Sequence, residues 1–330
     1  MNSKTLKIIV AAVLVLVAVL ALMEKRDQGG STEDGKMLFP ELKAQLNDID
    51  TVTITRADTA EPVVLGNASG RWLVSNRDDY PADVVKIRNV LVAMADAKIV
   101  EVKTANPDLH DRLGLTSPDV EGSKGVLIRA SNGDVNFSVI FGNVAQSSYR
   151  YARTPGEPQT WLIDQNPDLP KSAGDWLLNE LLDIDQARIQ QVTITHPDGE
   201  TIRISKESSD DSGFVVNDIP AERELSYASV ANGIAGALND LTLEDVRRDQ
   251  GSDDAVTAVF DTFDGLSVTV KSVKDGDKSW ISLSASPGEE NAEEASMINE
   301  RTSGWQFRIA DYKANLLVRR WDDILKAKPE

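Results

Sequence analysis

Two histidines are the residues in this sequence best suited to acid–base chemistry, because only histidine has an unperturbed pKa near neutral pH. His110 lies in a segment rich in proline and aspartate, Asn106–Gly122, and His196 lies in a Pro-Asp-Gly turn. A catalytic histidine needs an orienting carboxylate and a nucleophile beside it. Neither neighbourhood shows that arrangement, so we expect both histidines to be exposed loop residues.

Sequence motifs for hydrolysis, metal binding and nucleotide binding do not occur in the chain. It contains no nucleophile elbow, zincin motif, P-loop or dinucleotide fingerprint, and it contains no cysteine. Two Asp-rich segments, Ser208–Gly213 and Lys274–Ser279, lack the ligand spacing of a calcium loop and are typical of solvated turns. The sequence therefore predicts a protein that is not an enzyme, with no catalytic, metal-binding or cofactor-binding residues.

The charge of the chain restricts its partners. Its formal net charge is −18, and binding to nucleic acid depends on lysine and arginine side chains that displace counterions from phosphates. We expect no nucleic-acid partner. Strong negative charge favours solubility and partners with basic surfaces.

The first 26 residues differ in composition from the rest of the chain. Lys4 and Lys7 precede an uninterrupted apolar run, Ile8–Met23, which as a helix would be about 24 Å long. This is slightly short of the ~30 Å hydrocarbon core of a bilayer, and Leu6 and the snorkelling side chain of Lys7 extend it. The sequence predicts a transmembrane helix within residues 1–26. The residues taken to define this anchor are Ile8, Val13, Leu16, Leu20 and Met23.

The residues on either side of the apolar run predict whether the segment is cleaved and how it is oriented in the membrane. Bulky Leu22 and Met23 end the run where a cleavable signal peptide would need small residues, so a retained anchor is favoured over a cleaved signal. The positive charge before the run predicts a cytoplasmic N-terminus. Residues 27–36 then form a flexible linker, and the bulk of the chain lies in the periplasm of a bacterial inner-membrane, single-pass protein.

The rest of the chain repeats itself. The tetrapeptide VTIT occurs at Val52–Thr55 and at Val192–Thr195, and each copy begins a strand–turn–strand–turn–strand pattern. A helix follows each pattern, with Asp83 and Ser226 as candidate N-caps. An offset of 143 residues relates the predicted buried faces of the two helices: Val84, Ile87, Leu91 and Ala95 in the first, and Tyr227, Val230, Ile234 and Leu238 in the second.

Later elements extend the repeat. Each half continues with a hairpin that turns at Asn132-Gly133 or Asp264-Gly265, and then with further strands. Each half also ends in a Trp-containing segment that we predict to be helical, Ser172–Ile184 and Lys313–Leu325. The predicted fold is α+β, an N-terminal transmembrane helix followed by two similar lobes that arose by internal duplication, residues 37–184 and 185–330. An acidic loop is expected at Ser286–Gly304.

The order of short motifs in the first half resembles a family. The anchor is followed by LFPELKAQLNDIDTVTI at Leu38–Ile54, by GRWLV around Trp72, and by YPAD at Tyr80–Asp83. A Gly-Leu-x-x-Pro signature follows, here Gly114, Leu115 and Pro118. These features are similar to the bacterial domain-of-unknown-function family found beside gliding-motility-type ABC transporter subunits. The resemblance implies a periplasm-facing protein associated with ABC-type transport, and it supplies no catalytic residues; the motif residues are interpreted as structural.

Together these observations favour a non-enzymatic accessory or scaffold component of an ABC-type transport assembly, with a membrane-protein partner. The alternatives are a periplasmic ligand-binding protein with a site between the lobes, and a hydrolase whose residues assemble only in space. An exposed apolar patch would favour the first interpretation and a deep polar cleft the second. Carboxylates clustered around His110 or His196 would favour the third.

Overall fold

The computed structural model describes residues 33–146, 148–211, 213–227 and 229–328. The chain divides into two compact units. The first contains the described residues up to Gly70 together with Val85–Leu169, and the second contains Arg71–Val84 and the chain from Pro170 onward. The predicted anchor, Ile8–Met23, lies outside the described residues. Within the described ranges, no helix has both the length and the apolar character needed to cross a membrane.

Strands dominate both units, as the alternating sequence predicts. In chain order the strands are β1 (Thr51–Thr55), β2 (Val63–Ala68), β3 (Arg71–Val74), β4 (Tyr80–Pro81), β5 (Ile99–Val102), β6 (Val126–Ser131), β7 (Asn136–Gln146), β8 (Tyr149–Arg153), β9 (Thr160–Ile163), β10 (Glu180–Leu182), β11 (Ile189–Thr195), β12 (Thr201–Ser205), β13 (Val215–Val216), β14 (Arg223–Leu225), β15 (Leu241–Arg248), β16 (Val256–Thr262), β17 (Ser267–Asp275), β18 (Lys278–Ser286), β19 (Trp305–Ile309) and β20 (Leu325–Ala327). The helices are α1 (Leu42–Gln45), α2 (Val84–Asp96), α3 (Val230–Ala235), α4 (Ala292–Thr302), α5 (Asp311–Leu317) and α6 (Trp321–Ile324). The predicted mixed α+β class with antiparallel sheets is confirmed.

The first unit is built on an antiparallel sheet that contains the order β2-β1-β6-β7-β8-β9-β5. Alternation in β1 buries Val52 and Ile54, which pair with Ala130 and Ile128 of β6. Helix α2 buries a stripe that includes Ile87, Val90, Leu91 and Met94. Val84, predicted to join that stripe, is instead 55% exposed.

The second unit contains a sheet with the order β10-β15-β19-β18-β17-β16-β11-β12-β13 and a separate β14-β20 pair. Read from β12 to β15, the order β12-β11-β16-β17-β18-β19-β15 matches that of the first unit strand for strand. Both VTIT segments occupy the same place in this order, on β1 and on β11. On β11, Val192 pairs with Phe260 and Ile194 with Ala258 of β16.

Three local predictions were wrong. The segment Ser172–Ile184 forms a 3-10 turn, Gly174–Trp176, followed by β10, because β10 pairs with β15 and the Leu178 amide donates to the Pro81 carbonyl at 2.9 Å. The expected acidic loop contains helix α4, whose buried residues are Ala295, Ile298 and Thr302. The second repeat helix begins at Val230, and Tyr227 is 49% exposed.

The end of the predicted linker is also more ordered than expected. The Gly35 amide donates to the Ile99 carbonyl at 2.7 Å, and the Ile99 amide donates to the Lys36 carbonyl at 2.9 Å. The Trp161 indole donates to the Glu33 carboxylate at 3.2 Å. Residues 33–36 are therefore bonded to the edge of the first unit's sheet, and they are not part of a free tether.

Candidate functional site

The Gly-Leu-x-x-Pro loop of the first unit lies on one face of the sheet. It follows two consecutive 3-10 turns, Pro107–Leu109 and Asp111–Leu113, and Gly114 closes the second turn with a φ of 68°, a conformation that glycine adopts without strain. Leu115 is fully buried against Leu127 and Ile140, with Leu113 and Tyr151 packed around them. The loop thus covers apolar side chains that would otherwise face water.

Two glycines beneath the loop allow it to approach the sheet. A Cβ atom at Gly142 of β7 would lie 2.3 Å from the Leu113 carbonyl oxygen, and one at Gly125 would lie 2.2 Å from the Thr116 carbonyl oxygen. Both distances are too short for any side chain. Close backbone approach therefore requires glycine at these two positions.

Arg153 fastens the loop to β8. Its Nε and Nη2 atoms donate to the Leu115 carbonyl at 3.1 and 3.0 Å, and its Nη1 donates to the Glu157 carbonyl at 3.1 Å. The residue is 7% exposed. Sequence reasoning missed this role, since the Tyr-Arg-Tyr-Ala-Arg segment alone does not say which arginine faces inward, and burial along β8 does not alternate.

Both histidines have structural contacts, and the prediction that they are exposed was wrong. His110 is 8% exposed and donates from Nε2 to the Pro158 carbonyl at 2.9 Å, while His196 is 4% exposed and donates from Nε2 to the Arg319 carbonyl at 3.0 Å. Each imidazole thus joins two loops. In the parts of the chain that the structure describes, no group of three or more His, Cys, Asp or Glu residues could hold a metal ion.

The segment Arg71–Val84, which carries Trp72 and the Tyr-Pro-Ala-Asp motif, is packed within the second unit. The Tyr80 ring meets the edge of Trp305 at 5.0 Å between centroids and that of Phe307 at 6.0 Å. Burial raises the pKa of the Tyr80 phenol to about 12, and the positive charge of Arg301 opposes this rise. Trp72 is half-buried, and its carbonyl accepts from the Ala82 amide at 2.9 Å.

Two arginine contacts fix the turn between β3 and β4. Arg77 forms an ion pair with Asp245, with Nη2 donating to Oδ2 at 3.3 Å. Arg248 stacks 3.8 Å over the Trp305 ring and donates to the Asp78 carbonyl at 2.9 Å. Asp78 has a φ of 52°, which is uncommon outside glycine, so these contacts hold a strained turn in place.

Comparison with known proteins gives one family. The model of the family described as "Domain of unknown function (DUF4340)" matches residues 72–262, more than half of the chain. The matched region begins at Trp72, includes Gly114, Leu115 and Pro118, and ends on β16. No curated protein and no solved structure matches the chain significantly.

Proposed function

This chain belongs to the DUF4340 family, and from that premise we propose that it is a membrane-anchored, extracytoplasmic binding protein. In this proposal it serves as an accessory or scaffold component of an ABC-type transport assembly. The observation that carries the proposal is the apolar run Ile8–Met23 with Lys4 and Lys7 before it. An apolar run of that length, with basic residues at its start, favours insertion with the following chain outside the cytoplasm.

The side-chain contacts support binding over turnover. His110 and His196 are the two groups best suited to proton transfer, and both are hydrogen-bonded to backbone carbonyls at the joints of loops. The residues of the family motif also have structural contacts, because Leu115 is buried and its carbonyl accepts a hydrogen bond from Arg153. These groups stabilise the two units and leave other surfaces for a partner.

We also infer that the repeats 37–184 and 185–330 arose by internal duplication. The support is the shared order of seven strands and the equal positions of the two VTIT segments on β1 and β11. Duplication with later divergence would give one copy a long insertion and the other a short one. Two copies of a binding scaffold can then specialise separately.

The predicted anchor limits how far from the membrane the first unit could contact a partner. Residues 33–36 are bonded to the first unit, so nine residues, 24–32, connect it to the end of the predicted span at Met23. Even fully extended, nine residues reach only about 30–32 Å. The first unit would therefore stay close to the membrane surface, where the extracytoplasmic loops of a membrane partner have a high effective concentration.

Fractionation and reporter fusions test the location, and co-purification tests the partner. A reporter that is active only in the periplasm, fused after Glu330, should be active, and the protein should stay with membranes after a high-salt wash. An ABC-transporter subunit should co-purify with the full chain from membranes in mild detergent. Release of the protein into the soluble periplasmic fraction would contradict the anchor.

A further inference from the structure

The strand face that the Gly-Leu-x-x-Pro loop covers in the first unit has a counterpart in the second. In the first unit Ile140 of β7 pairs with Leu127 of β6 and with Arg153 of β8. In the second unit the matching position on β17 is Lys271, which pairs with Thr257 of β16 and Ser282 of β18. Lys271 therefore occupies the position equivalent to Ile140, and Ser282 occupies the position equivalent to Arg153.

The neighbouring strand completes the correspondence. Ala152, just before Arg153, pairs with Trp161, and Thr160 precedes Trp161 on β9. Ile281, just before Ser282, pairs with Phe307, and Gln306 precedes Phe307 on β19. The first unit uses Thr160 to hold its covering loop, since the Thr160 hydroxyl donates to the Thr104 carbonyl at 2.8 Å and accepts from the Thr104 amide at 3.0 Å. In the second unit, Gln306 occupies the position equivalent to Thr160.

The two units differ in the connection that crosses this face. In the first unit residues 103–125 connect β5 to β6 and carry Leu115. In the second unit residues 249–255 make the matching connection from β15 to β16, without a Gly-Leu-x-x-Pro motif. A cavity of about 320 Å³ lies beside this shorter connection, within the size range of ligand sites. Its lining includes Thr269, Lys271, Ser282, Ser284, Trp305 and Gln306.

The lining includes several hydrogen-bond donors beside the Asp249 carboxylate. Gln306 is 3% exposed, and its Oε1 accepts from Arg247 Nε at 2.9 Å. The Gln306 Nε2 donates to no described residue, and this atom is in contact with solvent. Lys271 likewise forms no ion pair with any residue that the structure describes, in a chain whose net charge is −18. The cavity thus offers an ammonium, an amide N–H and the hydroxyls of Ser282 and Ser284.

We propose that this cavity binds an extended peptide segment of a partner protein, with a carboxylate of the segment at Lys271 and a backbone carbonyl at Gln306. The first unit supplies the precedent, because the connection 103–125 covers the same strand face there. The Thr160 hydroxyl, at the position equivalent to Gln306, donates to the Thr104 carbonyl of that connection. Where the first unit presents apolar Ile140 and Leu127, the second presents Lys271 and Thr257. The peptide segment that binds the second unit is accordingly polar and acidic, whereas the loop that covers the first unit inserts the apolar side chain of Leu115.

Trp305 and Asp249 also belong to the lining. Arg248 stacks on the Trp305 ring, and the Tyr80 ring packs against it at a near-perpendicular angle, so the position of Trp305 is fixed by its neighbours. One carboxylate oxygen of Asp249, Oδ1, accepts from the Gly251 amide at 2.9 Å, which holds the connection 249–255 in a turn. This inference rests on the proposed function in one respect only. The proposed function supplies the source of the peptide segment, which is an extracytoplasmic loop of a membrane partner.

The test uses the purified full chain and a phage-displayed library of random dodecapeptides. Phage are selected on the wild-type protein after depletion on S284W, whose indole would fill the cavity. An enriched peptide is then labelled, and its Kd is measured for the wild type, for K271E, and for the matched control K274E. Lys274 is exposed on the same strand and does not line the cavity. We expect binding to weaken at least tenfold for K271E and less than twofold for K274E.

The peptide itself supplies a second comparison. Replacing its acidic residue by the matching amide should weaken binding to the wild type about tenfold and leave the residual binding to K271E unchanged. Equal binding by K271E and K274E, or no enrichment over S284W, would overturn the site. Enriched peptides whose sequences match residues 1–32 of this chain, or one of its surface segments, would overturn the proposal that the bound segment belongs to another protein. Since no membrane is involved, failure here leaves the anchor prediction untouched.

Discussion

Arg153 donates two hydrogen bonds, at 3.1 and 3.0 Å, to the carbonyl oxygen of Leu115, and both residues are buried. One arginine thereby satisfies a carbonyl in a loop that would otherwise be desolvated without a partner. The Gly-Leu-x-x-Pro segment stays on the sheet through this contact and through the packing of the Leu115 side chain.

Arg153→Ala should lower the free energy of unfolding by about 2–4 kcal/mol, because it leaves the buried carbonyl of Leu115 without its donor and removes packing. Arg129→Ala is the matched control, since Arg129 is an exposed arginine on β6 of the same sheet; it should cost less than about 0.5–1 kcal/mol. Urea unfolding followed by circular dichroism gives both values. Equal effects of the two changes would show that the contact contributes nothing.

Gly142→Ala tests the close approach of the loop. The new methyl group would lie 2.3 Å from the Leu113 carbonyl oxygen, so the loop must shift, at a cost of about 1–3 kcal/mol or more. Gly233→Ala is the control, because its Cβ would meet only Leu316 at 3.7 Å and because alanine favours a helix over glycine. We expect Gly233→Ala to be neutral or stabilising in the same urea titration, and a neutral Gly142→Ala would refute the packing.

Tyr80→Phe tests the burial of the phenol. Since its folded pKa, about 12, exceeds the ordinary tyrosine pKa of 10.0, this group contributes stability that is fully present below pH 10 and lost as the pH rises to 12. The loss is about 2–3 kcal/mol. The difference in unfolding free energy between the wild type and Tyr80→Phe should change by that amount over this window. Tyr312→Phe, at a tyrosine that is 67% exposed, is the matched control for removal of a phenol hydroxyl.

Asp245→Asn tests how the segment Arg71–Val84 is held in the second unit. The Arg77 and Asp245 side chains are 25% and 22% exposed, so the pair is partly shielded from solvent, and we expect a loss of about 1–2 kcal/mol. Lys43→Ala breaks the pair with Asp96, in which the side chains are 68% and 41% exposed, and should cost less than about 0.5 kcal/mol. A larger effect of Lys43→Ala than of Asp245→Asn would contradict this ranking.

Alternation and turn chemistry were sufficient to predict the antiparallel strands. The repeated VTIT segments follow a strand period, and their buried residues Val52, Ile54, Val192 and Ile194 lie where that period puts them. The segment Ser172–Ile184 was misread as a helix because its apolar residues are close in sequence. Their partners, the Pro81 carbonyl and β15, are distant along the chain, and no local pattern reveals them.

Helix α4 was missed for the opposite reason. Its surface is acidic, so the segment reads as solvated, and three buried positions, Ala295, Ile298 and Thr302, carry the helical period. The cavity lining was equally invisible in sequence, because Lys271, Ser282 and Gln306 belong to three strands. Only the register of β17, β18 and β19 brings them together.

Crosslinking in living cells, followed by identification of the captured proteins, tests the central claim that this protein acts by contact with a membrane transport partner. The anchored full chain is compared with residues 27–330 exported behind a foreign, cleavable signal peptide. We predict repeated capture of an ABC-transporter component by the anchored chain and a much lower yield from the released form, whose folding is unchanged by circular dichroism. Capture of no membrane-transport component, together with a small molecule tightly bound to the purified protein, would contradict the account.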